Sequence, residues 1–252
     1  SEMCIRDRAL VVIGSDVRIR SIFGLFGVYE INYYISIAFS ILTFIILINA
    51  FNLIDGIDGL AGSYTIATSI LFGISFFRLG PANDPLVILC AIIIAASFAF
   101  LFYNLSNKRN AKIFMGDTGS MILGFLLAFT GISFIEIFIQ KRDEVFYHLQ
   151  SAPVIAVAIL ILPIIDTLMV IITRIYHGKS ILSPDKNHIH HKLLNLGLTH
   201  RRSTAYIIGY YLIIIAVAYS LRHINVNYLL IIILVIGFLG AYLPIFLLRF
   251  KN

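Results

Sequence analysis

Long uninterrupted apolar runs dominate this sequence of 252 residues and limit the folds open to it. A run of about 20 apolar residues is long enough to cross a bilayer as a helix. The runs of about this length are Tyr33–Asn49, Leu60–Phe77, Leu86–Tyr103, Met121–Ile139, Ala152–Thr173, Thr204–Leu221 and Tyr228–Leu248. Their apolar residues are continuous and do not alternate at period two, which excludes a transmembrane barrel. The sequence therefore predicts an all-α, polytopic transmembrane helical bundle of about seven spans.

Composition and charge support a membrane protein with one basic face. The chain is 60% hydrophobic and only 13% charged, with a mean hydropathy of +0.95. Its net charge of +6 is better explained by basic cytoplasmic loops and phosphate-bearing substrates than by nucleic acid. Counting crossings puts eleven of the nineteen Lys and Arg residues on one side. The positive-inside rule makes that side cytoplasmic, and every unusual polar motif falls on it.

The first polar motif, Asn49–Gly59, reads Asn-Ala-Phe-Asn-Leu-Ile-Asp-Gly-Ile-Asp-Gly and follows the first apolar run. Polar groups at membrane depth are costly, so a chain that keeps them there uses them to line a cavity or bind something. Asn52, Asp55 and Asp58 recur every three residues and would share one face of a helix. This pattern indicates a cation site, or a phosphate held through a cation. The alternative is a solvated helix end, because Asn and Asp favour caps and the two glycines break helices.

The second motif, Phe114–Ser120, reads Phe-Met-Gly-Asp-Thr-Gly-Ser and opens the fourth apolar run. Backbone N–H groups at a helix start attract anions. Asp117 at that position is suited to hold a divalent cation between protein and phosphate oxygens, because Mg²⁺ takes one or two carboxylates plus substrate oxygens. The alternative is an ordinary N-cap formed by Asp117 or Thr118.

The third motif, Ser183–His191, lies in the longest and most basic predicted cytoplasmic loop. Its Lys186, together with Arg201 further along, suits phosphate recognition. A basic cytoplasmic loop explains the Lys and Arg residues, but not three His in four residues. His188, His190 and His191 are also candidate zinc ligands, although no Glu has the spacing of a zinc protease.

Asp166 and Arg174 flank the end of the fifth run. Either they pair with each other or reach the interface, or they belong to the site. The sequence alone leaves both interpretations open.

These three motifs, in this order and on one face, resemble the polyprenyl-phosphate N-acetylhexosamine-1-phosphate transferases, the WecA/TagO/MraY type of integral-membrane enzyme. The likeness covers about Gly24 to Arg202. Asn49–Gly62 is similar to the family's Asp-Gly-x-Asp-Gly loop, Phe114–Ser120 to its Phe-Met-Gly-Asp motif, and Ser183–His191 to its histidine loop. Ile189 interrupts the histidines, as in the WecA/TagO branch, whereas the MraY branch has three consecutive His.

The resemblance implies transfer of N-acetylglucosamine-1-phosphate from UDP-GlcNAc to a polyprenyl (undecaprenyl) phosphate, with release of UMP and initiation of a lipid-linked cell-envelope glycan. It implies Mg²⁺, with Mn²⁺ as a substitute and Asp117 as its ligand. Further expectations are a bacterial cytoplasmic membrane location, membrane lipid as a partner and a homodimer. The implied catalytic residues are Asp55, Asp58, Asp117 and His190. The implied substrate-binding residues are Asn49, Asn52, Asn104, Arg174, Lys186, His188, His191 and Arg201.

Other functions stay open on sequence alone. One is a UDP-MurNAc-pentapeptide phosphotransferase of the same family, and another is a polytopic zinc-dependent hydrolase using the histidines. A transporter would place its carboxylates mid-span, whereas these lie at one membrane face.

The N-terminal part of the chain departs from the family pattern. The family carries an adjacent Asp pair on an earlier cytoplasmic loop, and this sequence has none. We expect residues 1–252 to be the C-terminal portion of a single integral-membrane transferase domain, with residues 1–8 as a cloning or assembly scar. On that expectation, the chain by itself is inactive.

Overall fold

A computed structural model describes residues 14, 17–106, 112–140, 151–178 and 188–251. Two short strands come first, β1 (Ser21–Leu25) and β2 (Val28–Glu30). The helices that follow are α1 (Tyr33–Ile54), α2 (Leu60–Arg78), α3 (Asp84–Asn104), α4 (Gly116–Gln140), α5 (Ala152–Ile159), α6 (Ile161–Tyr176), α7 (Ile189–Asn195), α8 (His200–Ser220) and α9 (Val226–Lys251). Within these described residues, six helices are long and apolar enough to cross a membrane, or up to seven if the bent pair α5–α6 counts as one span. The predicted all-α, multi-pass architecture is confirmed.

The strands were not predicted. Residues 14–32 were expected to form a loop. β1 and β2 pair antiparallel, with Ser21 opposite Glu30. The turn between them is attached to the start of α9, where the Phe26 N–H donates to Asn227 Oδ1 at 2.8 Å. The hairpin therefore packs at the end of the bundle where α9 begins.

The helices pack as two main pairs. α1 lies against α4 and α6, and α2 lies against α3. Phe44 of α1 stacks on Phe125 of α4, with ring centroids 5.3 Å apart. α3 leaves large apolar side chains such as Ile92 and Phe102 exposed. In a multi-pass protein such a face contacts lipid, because the lipid tails are as apolar as these side chains.

The fifth apolar run is broken, which corrects the prediction of one continuous span over Ala152–Thr173. α5 and α6 meet at Leu160 with a bend of 74°. Pro163 lies four residues after Ile159 and has no N–H to donate to the Ile159 carbonyl. That carbonyl accepts instead from the hydroxyls of Tyr64 at 3.1 Å and Tyr211 at 3.0 Å. The break is therefore compensated by α2 and α8.

At the end of the bundle opposite the hairpin, three connecting segments meet. They are the turn between α1 and α2, the segment leading from residue 112 into α4, and α7 with the start of α8. The three motifs singled out in the sequence all contribute to this end.

Candidate active site

The acidic turn between α1 and α2 carries Asp55 and Asp58. α1 ends at Ile54, and Asp55 is its C-cap, with ψ at +50°. The prediction that Asn52, Asp55 and Asp58 share a helix face is wrong, because only Asn52 is helical. The glycines of the motif let the chain leave the helix here, and both carboxylates lie on a turn.

The Asp58 carboxylate is held by basic side chains from two later segments. Its Oδ2 lies 2.5 Å from Lys112 Nζ and 3.1 Å from His200 Nδ1. The Thr204 hydroxyl also donates to the Asp58 backbone carbonyl at 2.9 Å. Asp58 therefore joins the turn to the segment before α4 and to α8.

Asp55 and Asp117 form the negative part of the site. α4 begins at Gly116, whose φ of +67° favours glycine, and this places Asp117 in the exposed first turn. Burial raises the pKa of the Asp55 carboxyl, and the negative charge of Asp117 raises it further. The Ser120 hydroxyl donates to Asn52 Oδ1, which attaches α4 to the end of α1. The carboxylates of the turn after α1 and of the first turn of α4 thus repel each other, and a cation bound by both would relieve this repulsion.

The histidines form a stacked group beside the acidic turn. His188 and His190 lie parallel, with centroids 5.6 Å apart, and His190 and His191 are 4.3 Å apart. His190 packs directly on Gly56: a Cβ added to this glycine would be 2.1 Å from His190 Nε2. The third motif therefore contacts the first.

His190 is buried and uncharged at neutral pH. Burial lowers its pKa from 6.5 to about 4, and the neighbouring histidines His191, His188 and His200 lower it further, while Asp166 opposes them. His190 therefore offers a hydrogen-bonding imidazole and not a positive charge.

Asp166 belongs to this group and does not simply pair with Arg174. Its carboxylate lies 2.8 Å from His188 Nδ1 and accepts the Ile189 N–H at 2.8 Å. Arg174 lies in the last turn of α6.

Three further predicted residues occupy defined places. Asn104 is buried, and its amide accepts from the Gly59 N–H at 2.7 Å and donates to the Ile113 carbonyl at 2.9 Å. Arg201 donates to the Leu105 carbonyl at 2.9 Å. Asn49 is exposed and its amide donates to a carbonyl of its own helix. Asn104 thus has a structural role in joining loops, while substrate binding by these residues stays a prediction.

The structure brings together Asn52, Asp55, Asp58, Asp117 and the three histidines, whereas Lys186 lies outside the described residues. Sequence reasoning missed Lys112, His200 and Thr204, the partners of Asp58. These three residues are hard to single out in a sequence, because single basic or hydroxyl residues are common in and around basic loops. Among the described residues, no group of three His, Cys, Asp or Glu side chains is placed to hold a metal by itself. The described residues therefore contain no ligand set for a zinc site of the hydrolase type.

The fold and this site define a multi-pass membrane protein in which carboxylates and histidines meet at one end of the bundle. The model of glycosyl transferase family 4 matches residues 7–135, about half of the chain. The chain belongs to that family.

The names of several relatives of this chain describe the same kind of enzyme. It is 38% identical over 190 residues to the probable undecaprenyl-phosphate N-acetylglucosaminyl 1-phosphate transferase of Bacillus subtilis, covering 75% of this chain and 49% of that protein. It is 36% identical over 169 residues to the decaprenyl-phosphate N-acetylglucosaminephosphotransferase of Mycolicibacterium smegmatis, and 34% identical over 157 residues to the undecaprenyl-phosphate alpha-N-acetylglucosaminyl 1-phosphate transferase of Escherichia coli K12. Both of these matches cover 62% of this chain and 40% of the relative. The chain thus spans about half or less of the length of these relatives.

Proposed function

We propose that the whole protein transfers N-acetylglucosamine-1-phosphate from UDP-GlcNAc to a polyprenyl phosphate at the cytoplasmic face of a bacterial membrane. Membership of glycosyl transferase family 4 supports a glycosyl-phosphate transfer. The relatives' names supply the sugar and the lipid acceptor. The cytoplasmic assignment rests on the basic loops at the end that carries the site.

The observation that carries this proposal is the approach of Asp55 to Asp117. The charge of Asp117 raises the pKa of the Asp55 carboxyl, Asp55 is half-buried and Asp117 is exposed, so the pair provides hard oxygen ligands that a cation can reach. Mg²⁺ suits this arrangement, since it binds through one or two carboxylates and completes its shell with water and substrate phosphates. Asp117, the more exposed of the two, is the proposed ligand, and Asp55 lies beside it. Mn²⁺ is a substitute with similar ligand preferences.

The proposed reaction is a single displacement at phosphorus. An oxygen of the lipid phosphate attacks the β-phosphorus of UDP-GlcNAc, and the bond from that phosphorus to the bridging oxygen breaks. The sugar-1-phosphate is then joined to the lipid phosphate, and UMP leaves with the bridging oxygen. Such a step depends on positioning and on stabilising charge, and a bound Mg²⁺ supplies charge neutralisation at the diphosphate.

We assign different roles in this reaction to different described residues. Asp58, paired with Lys112 and in contact with His200, fixes the turn that carries Asp55. His190, neutral at pH 7, is suited to hydrogen-bond a sugar or phosphate oxygen without adding charge. Asn52, held by Ser120, is a further candidate for contact with the nucleotide sugar.

The test is UMP release by the whole protein with UDP-GlcNAc, polyprenyl phosphate and Mg²⁺. Asp117→Asn should lower turnover by ~10² or more, the scale of removing one preorganised electrostatic group. The matched control is Asp84→Asn, which removes an exposed carboxylate at the start of α3, at the other end of the bundle. Near-normal Mg²⁺-dependent turnover in Asp117→Asn would remove that residue from the site.

A binding measurement separates the metal from the chemistry. A cation that binds the folded protein raises its melting temperature by mass action. Ionising Asp55 costs stability in the metal-free protein, because its pKa is raised. That cost is absent below the ordinary value of 3.8 and grows as the pH rises above it. Mg²⁺ should therefore stabilise the wild type at pH 7.5 and stabilise Asp117→Asn less.

The donor specificity needs its own comparison. Activity with UDP-GlcNAc and none with UDP-MurNAc-pentapeptide is the expected result. The reverse preference would assign the protein to the peptide-carrying branch. Hydrolysis that needs Zn²⁺ and no lipid phosphate would overturn the transferase proposal.

A further inference from the structure

Asp166 is a buried carboxylate inside a helix that helps to cross the membrane. It lies in α6 and is only 3% exposed. A buried carboxylate is costly unless its oxygens find partners, and acids in apolar helices of membrane proteins commonly belong to functional sites. Its partners therefore indicate why it is there.

Both oxygens of Asp166 are used by the start of α7. Oδ1 accepts the Ile189 N–H at 2.8 Å, and Oδ2 lies 2.8 Å from His188 Nδ1. His188 is the N-cap residue of α7, and its own side chain makes no capping hydrogen bond. The carboxylate of α6 thus takes the place of the capping acceptor that α7 lacks.

The contact with His188 also fixes which ring nitrogen carries the proton. Because a carboxylate is an acceptor, the nitrogen facing it must be Nδ1–H, which leaves Nε2 on the far side of the ring. The His188 ring lies parallel to His190 within 5°. His190 in turn packs on Gly56 in the acidic turn. One continuous series of contacts therefore runs from Asp166 to the residue next to Asp55.

We propose that Asp166 is a positioning residue for the phosphotransfer reaction, which sets the tautomer of His188 and holds the histidine stack against the Asp55–Asp58 turn. The catalytic consequence rests on the proposed function, whereas the tautomer does not. Asp166 itself touches no substrate in this proposal and acts through His188 and His190.

Asp166→Asn separates positioning from simple capping. The Asn oxygen still accepts the Ile189 N–H, so the start of α7 is kept. The Asn amide group now faces His188 and donates to Nδ1, which moves the imidazole proton to Nε2. A residue that only caps α7 would tolerate this change, and a residue that sets the tautomer would not.

The first measurement is nitrogen NMR of the ring nitrogens in this chain, labelled with ¹⁵N-histidine in detergent. His188→Gln assigns the signal among the seven histidines. We expect a proton on Nδ1 of His188 in the wild type and on Nε2 in Asp166→Asn. A wild-type His188 protonated on Nε2 alone would overturn the proposal, and this result does not depend on any activity of the chain.

The second measurement is the kinetics of UMP release by the whole protein. Asp166→Asn should lower kcat by ~10–100-fold, the factor expected for one charge-assisted hydrogen bond, while KM for UDP-GlcNAc changes less than ~3-fold. Asp166→Asn in a His188→Ala background should add little further loss, because the ring it orients is gone. Asp84→Asn is again the control.

The outcomes distinguish the two proposals. Wild-type kcat in Asp166→Asn, or losses that multiply with those of His188→Ala, would overturn the positioning role. A wild-type protein without UMP release would overturn the proposed function, and the NMR measurement would still decide the Asp166–His188 pair.

Discussion

At the scale of single residues, Gly56 has the least space around it in the site. A Cβ there would be 2.1 Å from Nε2 and 2.5 Å from Cε1 of His190. His190 is buried between neighbouring histidine rings and has little freedom to move away. Gly56→Ala should therefore lower the free energy of unfolding by about 1–3 kcal/mol, as overpacking does. Denaturant unfolding in detergent measures this change.

Two further variants show whether this loss comes from the histidine. Gly209→Ala is the control, since no atom lies within 4 Å of its added Cβ. Gly56→Ala combined with His190→Ala removes the clash and should lose less than the two single variants together. Additive losses would contradict the contact.

His190 also predicts a pH dependence of stability. An unfolded histidine takes up a proton below pH 6.5, whereas His190 in the folded protein does so only near pH 4. The unfolded state therefore binds more protons between these values, and stability should fall as the pH drops through that window. The slope from one such group is at most about 1.4 kcal/mol per pH unit.

The measurement is the free energy of unfolding of wild type and His190→Gln between pH 7 and 4.5. The variant should lack this part of the slope. His223→Gln, in the exposed turn after α8, is the control for losing a histidine. Parallel curves for wild type and His190→Gln would show that this ring is not buried as described.

Sequence reasoning singled out the acids and histidines of the candidate site but not the contacts between them. Asp55 and Asp117 were singled out because carboxylates that border an apolar run need a reason to be there. Lys112 and His200 were not, because their contacts with Asp58 cross 54 and 142 residues of chain. A pairing at such separation depends on tertiary packing, which local spacing does not encode.

At the scale of helices, the break at Leu160 yields a prediction about two tyrosines. Tyr64 and Tyr211 both donate to the Ile159 carbonyl that Pro163 leaves without a helical partner. Replacing one tyrosine by Phe leaves the other donor in place and should cost little. Replacing both leaves a buried carbonyl unpaired and should cost about 1–3 kcal/mol, more than the sum of the single changes. Unfolding titrations of the four proteins measure the coupling.

Tyr228→Phe is the control for this comparison, because its ring is exposed at the start of α9. If the double variant loses only the sum of two small effects, the carbonyl has another partner and the explanation of the break is wrong.

The helices themselves were largely predictable, since continuous apolar runs of bilayer length leave few alternatives. Two features were not. The bend between α5 and α6 depends on hydroxyls supplied by α2 and α8, and an apolar run with two prolines is also compatible with a straight or kinked span. The hairpin of β1 and β2 is only 5 and 3 residues long on its two sides, too short for an alternation pattern to be distinctive.

At the scale of the whole molecule, Asn104 at the end of one helix connects the segments that precede two others. It lies at the end of α3 and bonds both the Gly59 N–H before α2 and the Ile113 carbonyl before α4. Asn104→Ala should therefore speed amide hydrogen exchange in the 55–59 turn and in residues 112–115 by ~10-fold, the effect of losing about one hydrogen bond. Exchange at the α5–α6 bend should not change.

Asn225→Ala is the matched control, because this Asn caps α9 at the other end of the bundle, where it accepts the Asn227 N–H. Its effect on exchange should stay at that end. Unchanged exchange in both site segments of Asn104→Ala would show that other contacts hold them together.

The separation of Asp58 from Lys112 and His200 along the chain also has a consequence for biosynthesis. A ribosome adds about 5–20 residues per second, so the 142 residues between Asp58 and His200 take roughly 7 to 28 seconds to translate. During that interval Asp58 has been made, while His200, which contacts its carboxylate, has not. The contact between the acidic turn and the start of α8 can therefore form only after α1 to α7 have been translated.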